Sequence, residues 1–434
     1  MTGVLSLLPE GRHGLLGAPL PGAGLPGVGE PSEAVAPSGG EDLARYLAEG
    51  GYAPLPVPGL LLDRIAAAGL RGRGGAGFPA AVKLRAVRDA PGRPVVVANG
   101  EEGEPGSVKD RWLLRHRPHL VLDGLGLAAA MTGAGRGCVY LSDAGAEQAV
   151  RRALAERPCD PPVDVVRTEH TYVAGEETAV VRRIDGGPAL PTAKPPRPFE
   201  SGVGGAPTLV ANVETLARIA LMHARPESAD TVAGTYLVTL SGTRSRTGAD
   251  DAAALVEVPA GTHLKVLADL CGHGRAAAVL LGGLFGGLHG AGWTDLPLDH
   301  DRLRAAGGAL GCGALHFLHP EDCPVAAAHE AAAHLAAQSA RQCGVCVSGT
   351  GALAGALAAV ARGEADDDTT LRLRRWSEQL PGRGACGLLD AAARIAGTLL
   401  THFPDRVDAH RGTVCPPCRA TANGGGHRFT VPVP

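Results

Sequence analysis

Short apolar runs alternate with helical patterns along the first half of the chain. The runs PVVVANG (94–100) and GCVYLSD (137–143) have the continuously apolar, β-rich character of buried parallel strands. The stretch TLVANVETLARIALMHA (208–224) begins as a strand and, after a turn, continues with helical spacing. Between about residues 60 and 230 this alternation predicts an α/β domain.

The pattern changes in the second half of the chain. Residues 235–300 hold β-rich runs around one short helical segment, which predicts a small β-rich module. From about residue 320, four helical segments are separated by Gly, Asp and Pro, as in a four-helix bundle. The first forty residues are rich in Gly and Pro without periodicity, so they predict a flexible leader. The predicted regions are a leader (1–40), an α/β domain (41–233), a β-rich module (234–318), a helical bundle (319–403) and a tail containing CPPC (404–434).

Charge and hydropathy exclude several classes of partner. The chain has 41 basic and 44 acidic side chains, which leaves no excess positive charge for nucleic acid. Its N-terminus, MTGVLSLLPEGRHG, lacks the basic lead and apolar core of a signal peptide. The uncharged apolar run AAAVLLGGLFGGL (276–288) is shorter than the roughly 20 residues of a membrane span. We therefore expect a cytoplasmic protein without a membrane span or a nucleic-acid partner, with peripheral docking to a larger complex as one option.

The cysteines are unevenly distributed. Ten cysteines in a cytoplasmic chain favour metal or redox use over disulfides. Five of them are isolated, which is typical of small core residues: Cys138, Cys159, Cys271, Cys312 and Cys323. The other five cluster in the last quarter of the chain, and this clustering predicts a metal or redox site: Cys343, Cys346, Cys386, Cys415 and Cys418. His329 and His334 lie at helical spacing in the predicted bundle and are assigned no role.

Four polar motifs punctuate the predicted α/β domain. The turn RGRGGAGFP (71–79) lets backbone N–H groups approach a phosphate, and Lys83 follows it. The acidic loop ANGEEGEPGSVKDR (98–111) follows a buried strand, where open α/β sheets place ligands. TYVAGEETAVVRRI (171–184) and ANVETL (211–216) place acids and an Asn at helix starts. Each motif can also be explained without a ligand. In order, they can be a tight turn, a solvated loop, acidic residues that stabilise the helix dipole, and an Asn N-cap.

In their order along the chain, these motifs resemble those of one family. GLRGRGGAGFP, NGEEGEPGSVKDR, Y-x-x-GEETA, KPPRP and NVETL are similar to the NADH-binding, FMN-carrying subunit of respiratory complex I, which also occurs as the diaphorase subunit of NAD-linked hydrogenases and formate dehydrogenases. The flavin subunit of Rnf-type complexes is a poorer match, because KDR, GEETA and the helical segments favour the complex I type. The resemblance covers residues 41–403. It implies an α/β protein with a Rossmann-like FMN-binding domain, a β-grasp (SLBB-like) module and a four-helix bundle carrying an iron–sulfur cluster.

The resemblance also implies a cofactor set and a group of site residues. The cofactors would be FMN and a [4Fe–4S] cluster, with NAD(P)H as hydride donor and thioredoxin-like [2Fe–2S] or ferredoxin-type subunits as partners. The catalytic residues would be Glu104 and Glu177. The cofactor-binding residues would be Gly72, Arg73, Gly74, Gly75, Ala76, Gly77, Phe78, Lys83, Asn99, Glu101, Glu102, Tyr172, Gly175, Glu176, Glu177, Lys194 and Asn212. The cluster ligands would be Cys343, Cys346 and Cys386, with Cys415 or Cys418 as a fourth.

Several positions depart from the family pattern. The two aromatics that sandwich the adenine of NADH are replaced by Ala86 and Arg197, and Ala211 stands where an Asn is usual. Base–aromatic stacking contributes about 1–3 kcal/mol per base, so both losses weaken the case for NADH. Phe199 is a candidate substitute, and Arg197 is a candidate stacking or phosphate contact. FMN binding is therefore better supported by the sequence than NADH oxidation.

The cysteine site leaves four interpretations open. The family motif C-x-x-C-x-x-C lies between the first two helices of the bundle, and here its third position is Gly349. Three cysteines can hold a cluster with water, a small molecule or Ser348 on the fourth iron. Alternatively Cys415 or Cys418 completes the set, since residues 404–415 can span about 40 Å when extended. The cluster can also be absent. Separately, CPPC with His410 or His427 can hold zinc or cycle as a dithiol.

Two functions of different classes follow from these features. The first is a flavin-dependent electron-transfer subunit that takes hydride onto FMN and passes single electrons to a cluster and a partner. The second is a divergent relative that keeps the fold as a flavin-binding or assembly subunit. The intact glycine and acidic loops favour the first, whereas the missing aromatics and the missing third cysteine favour the second.

Overall fold

A computed structural model gives the architecture of the chain. It describes residues 3–8, 14–16, 32–33, 40–242, 253–422 and 428–434. Most of the predicted leader lies outside the described residues, as does His427. Eleven strands are found in these parts: β1 Gly3–Ser6, β2 Ser32–Glu33, β3 Val95–Asn99, β4 Arg136–Leu141, β5 Val163–Arg167, β6 Thr208–Asn212, β7 Thr235–Gly242, β8 Ala254–Pro259, β9 Ala278–Leu281, β10 Leu288–His289 and β11 Ala314–Leu318.

More of the described residues lie in helices than in strands. In the first half they are α1 Leu43–Ala48, α2 Pro58–Ala67, α3 Ala80–Arg88, α4 Lys109–His116, α5 Pro118–Thr132, α6 Ala144–Glu156, α7 Glu177–Ile184, α8 Val213–Ala224 and α9 Ala229–Ala233. In the second half they are α10 Leu264–Leu270, α11 His300–Ala305, α12 Pro324–Ala337, α13 Gly344–Ala361, α14 Asp367–Gln379, α15 Leu388–His402, α16 Pro404–Asp408 and α17 Pro416–Ala422.

The first sheet is parallel, as the apolar runs predict. Its four strands lie in the order β5-β4-β3-β6, and every neighbouring pair is parallel. Val96 and Ala98 of β3 pack with α5 and α8, while Val97 packs with β4 and β6 side chains on the other face. Gly124 allows α5 to lie directly on α8, because a Cβ there would stand 2.0 Å from the Leu216 carbonyl oxygen. These contacts confirm the predicted α/β class.

The second sheet is mixed and includes the start of the chain. Its seven strands lie in the order β10-β9-β11-β7-β8-β1-β2, with β1 parallel to β8. Leu5 and Leu7 are buried in the core of this sheet. The described start of the predicted leader is therefore an ordered strand, which differs from the expectation of a flexible segment. The gain in buried apolar surface comes from pairing with β8, far along the chain.

The C-terminal helical region consists of α12 to α15 packed on one another. Alanines fill the buried face of α12 and let its neighbours approach closely. The tail adds the short helices α16 and α17, and Phe429 returns to the same core. Among the described helices, Gly344–Ala361 alone is long and apolar enough to cross a membrane by length and composition. With 39% of that stretch buried against its neighbours, it is equally consistent with a core helix.

Candidate functional site

Two asparagines mark the edge of the parallel sheet where the predicted site residues meet. Asn99 ends β3 and lies in register with Asn212, which ends β6. The Asn99 side-chain amide donates to the Gly175 carbonyl at 2.8 Å, and its oxygen accepts from the Glu101 N–H at 3.2 Å. Asn212 caps α8 by accepting from the Glu214 N–H at 3.0 Å. The carboxyl edge of the sheet thus brings three of the four sequence motifs together.

A buried network of charged side chains holds the Asn212 side chain in place. Lys109 Nζ donates to Asn212 at 3.3 Å, to Asp110 at 2.6 Å and to Glu214 at 3.1 Å. Asp110 in turn accepts from the Asn212 amide at 2.7 Å. Burial raises the pKa of Asp110 to about 7, against the opposing effect of Lys109. The KDR motif contains both residues, but nothing in the sequence signals that this lysine is buried, so the motif does not predict their positioning role.

The glycine-rich loop lies beside the Asn212 end of the sheet. Gly75 has φ +109° and Gly77 has φ +61°, which L side chains rarely adopt. A Cβ at Gly77 would also stand 2.1 Å from His300 Nε2, so the loop is closely packed against the start of α11. Gly74 lies beside the end of β6, because a Cβ there would stand 3.4 Å from Asn212 Cβ, so the loop places backbone without a side chain at this edge of the sheet. Phe78 follows it and is 52% exposed.

The Arg73 side chain is held by contacts within the protein, and its predicted cofactor contact stays a prediction. Its guanidinium is buried, donates to the carbonyl oxygens of Ala233 and Thr235 at 2.6 and 2.8 Å, and lies over the Tyr236 ring at 3.9 Å. Its backbone N–H donates to Thr215 Oγ1 at 2.9 Å. The side chain therefore joins the loop to the second sheet, and the cations that face the site are lysines.

Two lysines and two glutamates form a half-buried group across the sheet edge. Lys83 Nζ lies 3.3 Å from Glu177 and donates to the Val210 carbonyl at 2.8 Å. Lys194 Nζ lies 2.7 Å from Glu176 and 3.1 Å from Glu177. Burial would raise the pKa of Glu177, but the two ammonium groups outweigh it and hold that pKa below its usual range. The structure thus places these four predicted residues together as one group of ion pairs, with two lysines and two glutamates.

The acidic loop after β3 divides its carboxylates between three tasks. Glu102 caps α4, accepting from the N–H groups of Asp110 and Arg111 at 3.1 Å each, so it supports the fold. Glu101 is buried and accepts from His170 at 3.1 Å, whereas its second oxygen has no partner among the described residues. Glu104 is half-buried with its Oε1 atom shielded from solvent, accepts from the Leu284 N–H at 3.1 Å, and has its pKa raised to about 8 by burial of the carboxyl group.

Tyr172 connects this site to the C-terminal helical region. Burial, followed by the charge of Glu104, raises the pKa of the Tyr172 hydroxyl, and Cys312 and Cys386 also lie near enough to contribute. The Tyr172 N–H donates to Gln338 at 3.1 Å, and the ring packs edge-on against His334 at 6.3 Å. The sequence predicts an ordinary core residue at Cys312, and its place beside Glu104 has no signal in the sequence.

The three predicted cluster ligands lie together at one end of α12. Burial, with the charges of Cys346, Glu176 and Cys343 adding to it, raises the pKa of Cys386. Cys346 Sγ lies 3.6 Å from the hydroxyl of Ser339, just beyond the end of α12. Cys346 and Gly349 belong to α13 itself, whereas the sequence predicts a loop. A Cβ at Gly349 would stand 2.9 Å from Leu389 Cδ1, so leucine methyl groups occupy the space beside the missing third ligand.

The tail cysteines lie at the opposite end of α12. Cys415 and Cys418 group with His410 and with Cys323, the residue that precedes α12. The 14 residues of α12 rise about 21 Å, which separates this group from Cys346. Neither tail cysteine is therefore placed to supply a fourth thiolate to Cys343, Cys346 and Cys386.

Comparison with known proteins identifies the family. Residues 65–221 match the Nuo51 FMN-binding domain, and residues 326–410 match the NADH-ubiquinone oxidoreductase-F iron-sulfur binding region. The chain is 30% identical over 404 residues to the second NADH-quinone oxidoreductase F-subunit of Rhizobium meliloti, covering 86% of this chain and 94% of that one. The chain belongs to the F-subunit family of NADH-quinone oxidoreductases. This confirms the resemblance drawn from the motifs, together with the expected oxidoreductase class and the expected FMN and iron–sulfur cofactors.

Relatives of the F-subunit family include hydrogenase subunits. The chain is 29% identical to the NADP-reducing hydrogenase subunit HndC of Solidesulfovibrio fructosivorans, covering 85% of this chain and 81% of that one. A crystal structure of NAD⁺-reducing [NiFe]-hydrogenase in the H₂-reduced state is similar with a TM-score of 0.73 at 29% identity. The match covers 83% of this chain and 63% of that longer hydrogenase chain.

The residues present fit FMN. The glycine loop offers open backbone, and Lys83 and Lys194 keep 27% and 25% of their side chains exposed. The buried second oxygen of Glu101 needs a donor, which a ribityl hydroxyl or a ring N–H would supply. A phosphate would meet backbone N–H groups and ammonium groups rather than Arg73.

Replacing Glu104 by Gln should flatten the pH dependence of stability. The folded pKa of about 8 exceeds the ordinary 4.5, so the folded chain holds this proton more tightly than the unfolded chain. The stabilising contribution is fully present below about pH 4.5 and is lost as pH rises through about 8. Unfolding free energies measured by urea between pH 6 and 8.5 should therefore fall more steeply for the native sequence, by up to about 1.4 kcal/mol per pH unit.

The exposed Glu378→Gln variant is the control for this measurement and should keep the native slope. Parallel slopes for Glu104→Gln and the native chain would show that Glu104 is ionised when folded. The groups that face Glu104 are Tyr172, Glu102 and Cys312, and none of them is changed by the substitution.

Proposed function

We propose that this F-family chain takes hydride from NAD(P)H onto FMN and passes electrons to a [4Fe–4S] cluster and then to a partner subunit. The observation that carries the proposal is that Tyr172, beside Glu104, packs on the same apolar cluster as Cys343, Cys346 and Cys386. FMN, when bound, accepts electrons in a pair and releases them singly, which is the conversion that a cluster chain requires. This packing brings the proposed flavin site next to the proposed thiol ligands, which suits short-range electron transfer.

The chain's own residues hold and orient the cofactor in this proposal. The backbone of Gly72 to Gly77 would receive the phosphate, and Asn99, Glu101 and Asn212 would meet the flavin and its side chain. Glu177 balances Lys83 and Lys194, so it would set the charge beside the reacting ring. Glu104, protonated at neutral pH, would act as a hydrogen-bond donor rather than as an anion.

Cys343, Cys346 and Cys386 would hold the cluster as its three thiolates. Cys346 is buried and Cys343 and Cys386 are half-buried, and Ser339 lies beside Cys346. The fourth iron would carry a non-cysteine ligand, since Gly349 supplies no side chain. Water, a small molecule and a serine hydroxyl are the candidates. Of the two serines, Ser339 is beside the thiols, whereas Ser348 is exposed on α13.

The nicotinamide site is more open than the family pattern implies. Phe78 is half-exposed and available to stack against a base. Phe199, a candidate substitute for the missing adenine aromatics, instead packs against the core of the α/β domain. Ala86 offers no ring, and Arg197 is exposed. We infer weaker nicotinamide binding than in relatives that keep both aromatics.

The finer architecture and the partner follow from the same family. We infer a β-grasp module at 234–318 and an iron–sulfur four-helix bundle at 319–403, preceded by the FMN and NADH domain at 41–233. Relatives carry the names of quinone oxidoreductase and hydrogenase subunits, which supports assembly with other electron-transfer subunits. A thioredoxin-like [2Fe–2S] or ferredoxin-type protein would be the partner. A cytoplasmic location agrees with this assignment.

One observation favours the second candidate, a flavin-binding subunit without dehydrogenase activity. Both adenine-stacking positions lack a ring, and Phe199, the candidate substitute, packs against the core of the α/β domain. Stacking lost on both faces at about 1–3 kcal/mol each would raise the dissociation constant of NADH well above the micromolar range. Such a chain would keep flavin without oxidising the nicotinamide.

Anaerobic NADH titration separates the two candidates. The purified chain should show flavin absorption that bleaches as NADH is added, and Phe78→Ala should need roughly 5- to 150-fold more NADH for the same bleaching. The exposed Leu371→Ala variant, on α14, is the control and should titrate like the native chain. Flavin bands that dithionite bleaches and millimolar NADH and NADPH leave unchanged would establish the second candidate.

A further inference from the structure

We propose that Cys323, His410, Cys415 and Cys418 bind one Zn²⁺ as a structural site that ties the C-terminal tail to the start of α12. This site stands apart from flavin chemistry and from the thiols of the proposed cluster. It is a different centre because α12 lies between the two groups. Three of its four donors also lie outside residues 326–410, the region matched to the family's iron–sulfur binding model.

The spacing of the donor atoms suits a single tetrahedral ion. All four lie within 4.8 Å of one another. His410 Nε2 lies 3.5 Å from Cys323 Sγ and 3.3 Å from both Cys415 Sγ and Cys418 Sγ, and the sulfurs of Cys323 and Cys418 are 3.7 Å apart. Tetrahedral zinc with ordinary bond lengths requires S···N edges of about 3.6 Å and S···S edges of about 3.8 Å. The ligands of a [4Fe–4S] cluster bind separate irons and must stand farther apart.

The histidine is oriented as a metal ligand. His410 Nδ1 lies 2.6 Å from the Arg406 carbonyl oxygen, so its proton is donated there and the lone pair falls on Nε2. A backbone carbonyl behind the imidazole is the usual support of a metal-bound histidine. Nε2 then points at three sulfurs, an arrangement that a neutral imidazole would not need for packing alone.

The remaining features indicate a structural rather than a catalytic ion. Cys323, Cys418 and His410 are buried, and four protein donors leave no open position for a substrate. The Cys418 N–H lies 3.5 Å from Cys415 Sγ, so the CPPC turn directs a backbone donor at a thiolate. Three thiolates and one imidazole match zinc in softness and geometry. Binding would release the thiol protons to solvent, without any change in oxidation state.

The ion would organise a tail that reaches the flavin side of the molecule. Beyond the site, Arg428 pairs with Glu330 at 2.8 Å and with Asp322 at 3.2 Å, next to Cys323. The Val431 N–H then donates to the Pro105 carbonyl at 3.1 Å, inside the acidic loop. Zinc at the base of the tail would therefore support the loop that holds Glu101 and Glu104.

Metal analysis of the full-length protein tests the proposal. The chain purified from zinc-supplemented cells should hold about one zinc per chain, and His410→Gln and Cys415→Ser should each lower this at least tenfold. Cys159→Ser, a thiol in the α/β domain, is the matched control and should keep the zinc. A Cys343→Ser/Cys346→Ser double variant should lose iron and keep zinc, which separates this site from the proposed cluster.

A second measurement covers variants that do not fold. After removal of zinc by chelator, Co²⁺ added to the native chain should give the visible bands and thiolate charge-transfer absorption of tetrahedral cobalt, at one equivalent. Zinc below about 0.1 per chain together with no cobalt spectrum overturns the proposal. Iron in place of zinc overturns it, and so does a Cys415–Cys418 disulfide in the native protein found by mass spectrometry. Zinc retained by both His410→Gln and Cys415→Ser overturns it as well.

Discussion

Replacing Lys109 by Met should destabilise the folded chain by about 3–5 kcal/mol. Lys109 is 1% exposed and its ammonium group lies within 3.1 Å of the carboxylates of Asp110 and Glu214. Removing the cation keeps the volume of the side chain but leaves Asp110 buried without its ion partner. Breaking a buried ion pair from one side costs far more than the pair contributes, because the remaining charge has no water.

The size of this effect should depend on pH. Burial lowers the pKa of Lys109, but Asp110 and Glu214 outweigh it and hold that pKa above its usual value. In the variant the pKa of Asp110 should rise above the present value of about 7, so the folded chain would keep this carboxyl protonated. Since the unfolded pKa is near 3.8 in both proteins, both lose stability from about pH 4 to pH 7, and only the variant goes on losing it above about pH 7. The deficit should be smaller at pH 5 than at pH 8.

Urea unfolding of both proteins at the two pH values measures this difference. Lys265→Met is the matched control: Lys265 pairs with Asp269 at 2.6 Å but is 43% exposed, so its loss should change stability by less than about 1 kcal/mol. Equal effects of the two substitutions would contradict a buried network. FMN content of the folded Lys109→Met fraction should also fall, because Lys109 and Asp110 hold the Asn212 amide.

Most elements of the fold can be predicted from the local sequence pattern. The others form only through contacts with residues that are distant in the sequence. The strands β3, β4 and β6 are predictable because each is a short apolar run that both sheet faces bury. The strand β1 is not, because four residues in a Gly- and Pro-rich segment become a strand only through pairing with β8. The same reason hides α17, whose place depends on Cys323, a residue 95 positions before Cys418.

The site residues also divide into those that the sequence predicts and those that only the fold brings together. Spacing and motif order predict site residues in the glycine loop, in the acidic loop and at Cys343, Cys346 and Cys386, because these residues are close in sequence or follow a family pattern. The direction of a side chain is not encoded in that order. The Arg73 side chain donates to the carbonyl of Ala233, and Glu102 caps a helix, although both belong to motifs predicted to bind ligands. Cys323 has the sequence context of an isolated core cysteine, and only the fold brings His410 beside it.

Replacing Cys386 by Ala should remove the proposed cluster while leaving flavin reduction intact. With Gly349 in the third position, the three thiolates are the full set of proposed cysteine ligands. Two thiolates should not retain a cluster that already lacks its fourth cysteine. Bound iron and sulfide should fall at least tenfold in anaerobically purified protein, and the paramagnetic signal of the dithionite-reduced cluster should disappear. NADH should still bleach the flavin, because the glycine and acidic loops do not include Cys386.

Two comparisons make this result specific. Cys159→Ala removes a thiol from the α/β domain and should leave iron, sulfide and the paramagnetic signal unchanged. Ser339→Ala removes the hydroxyl 3.6 Å from Cys346 Sγ and should change the signal's shape or its stability towards oxygen if that hydroxyl ligates the fourth iron. Native protein without iron, or Cys386→Ala with full iron, would contradict the cluster assignment. In either case Tyr172 would pack on a helical region that carries no electrons, and this packing would be structural.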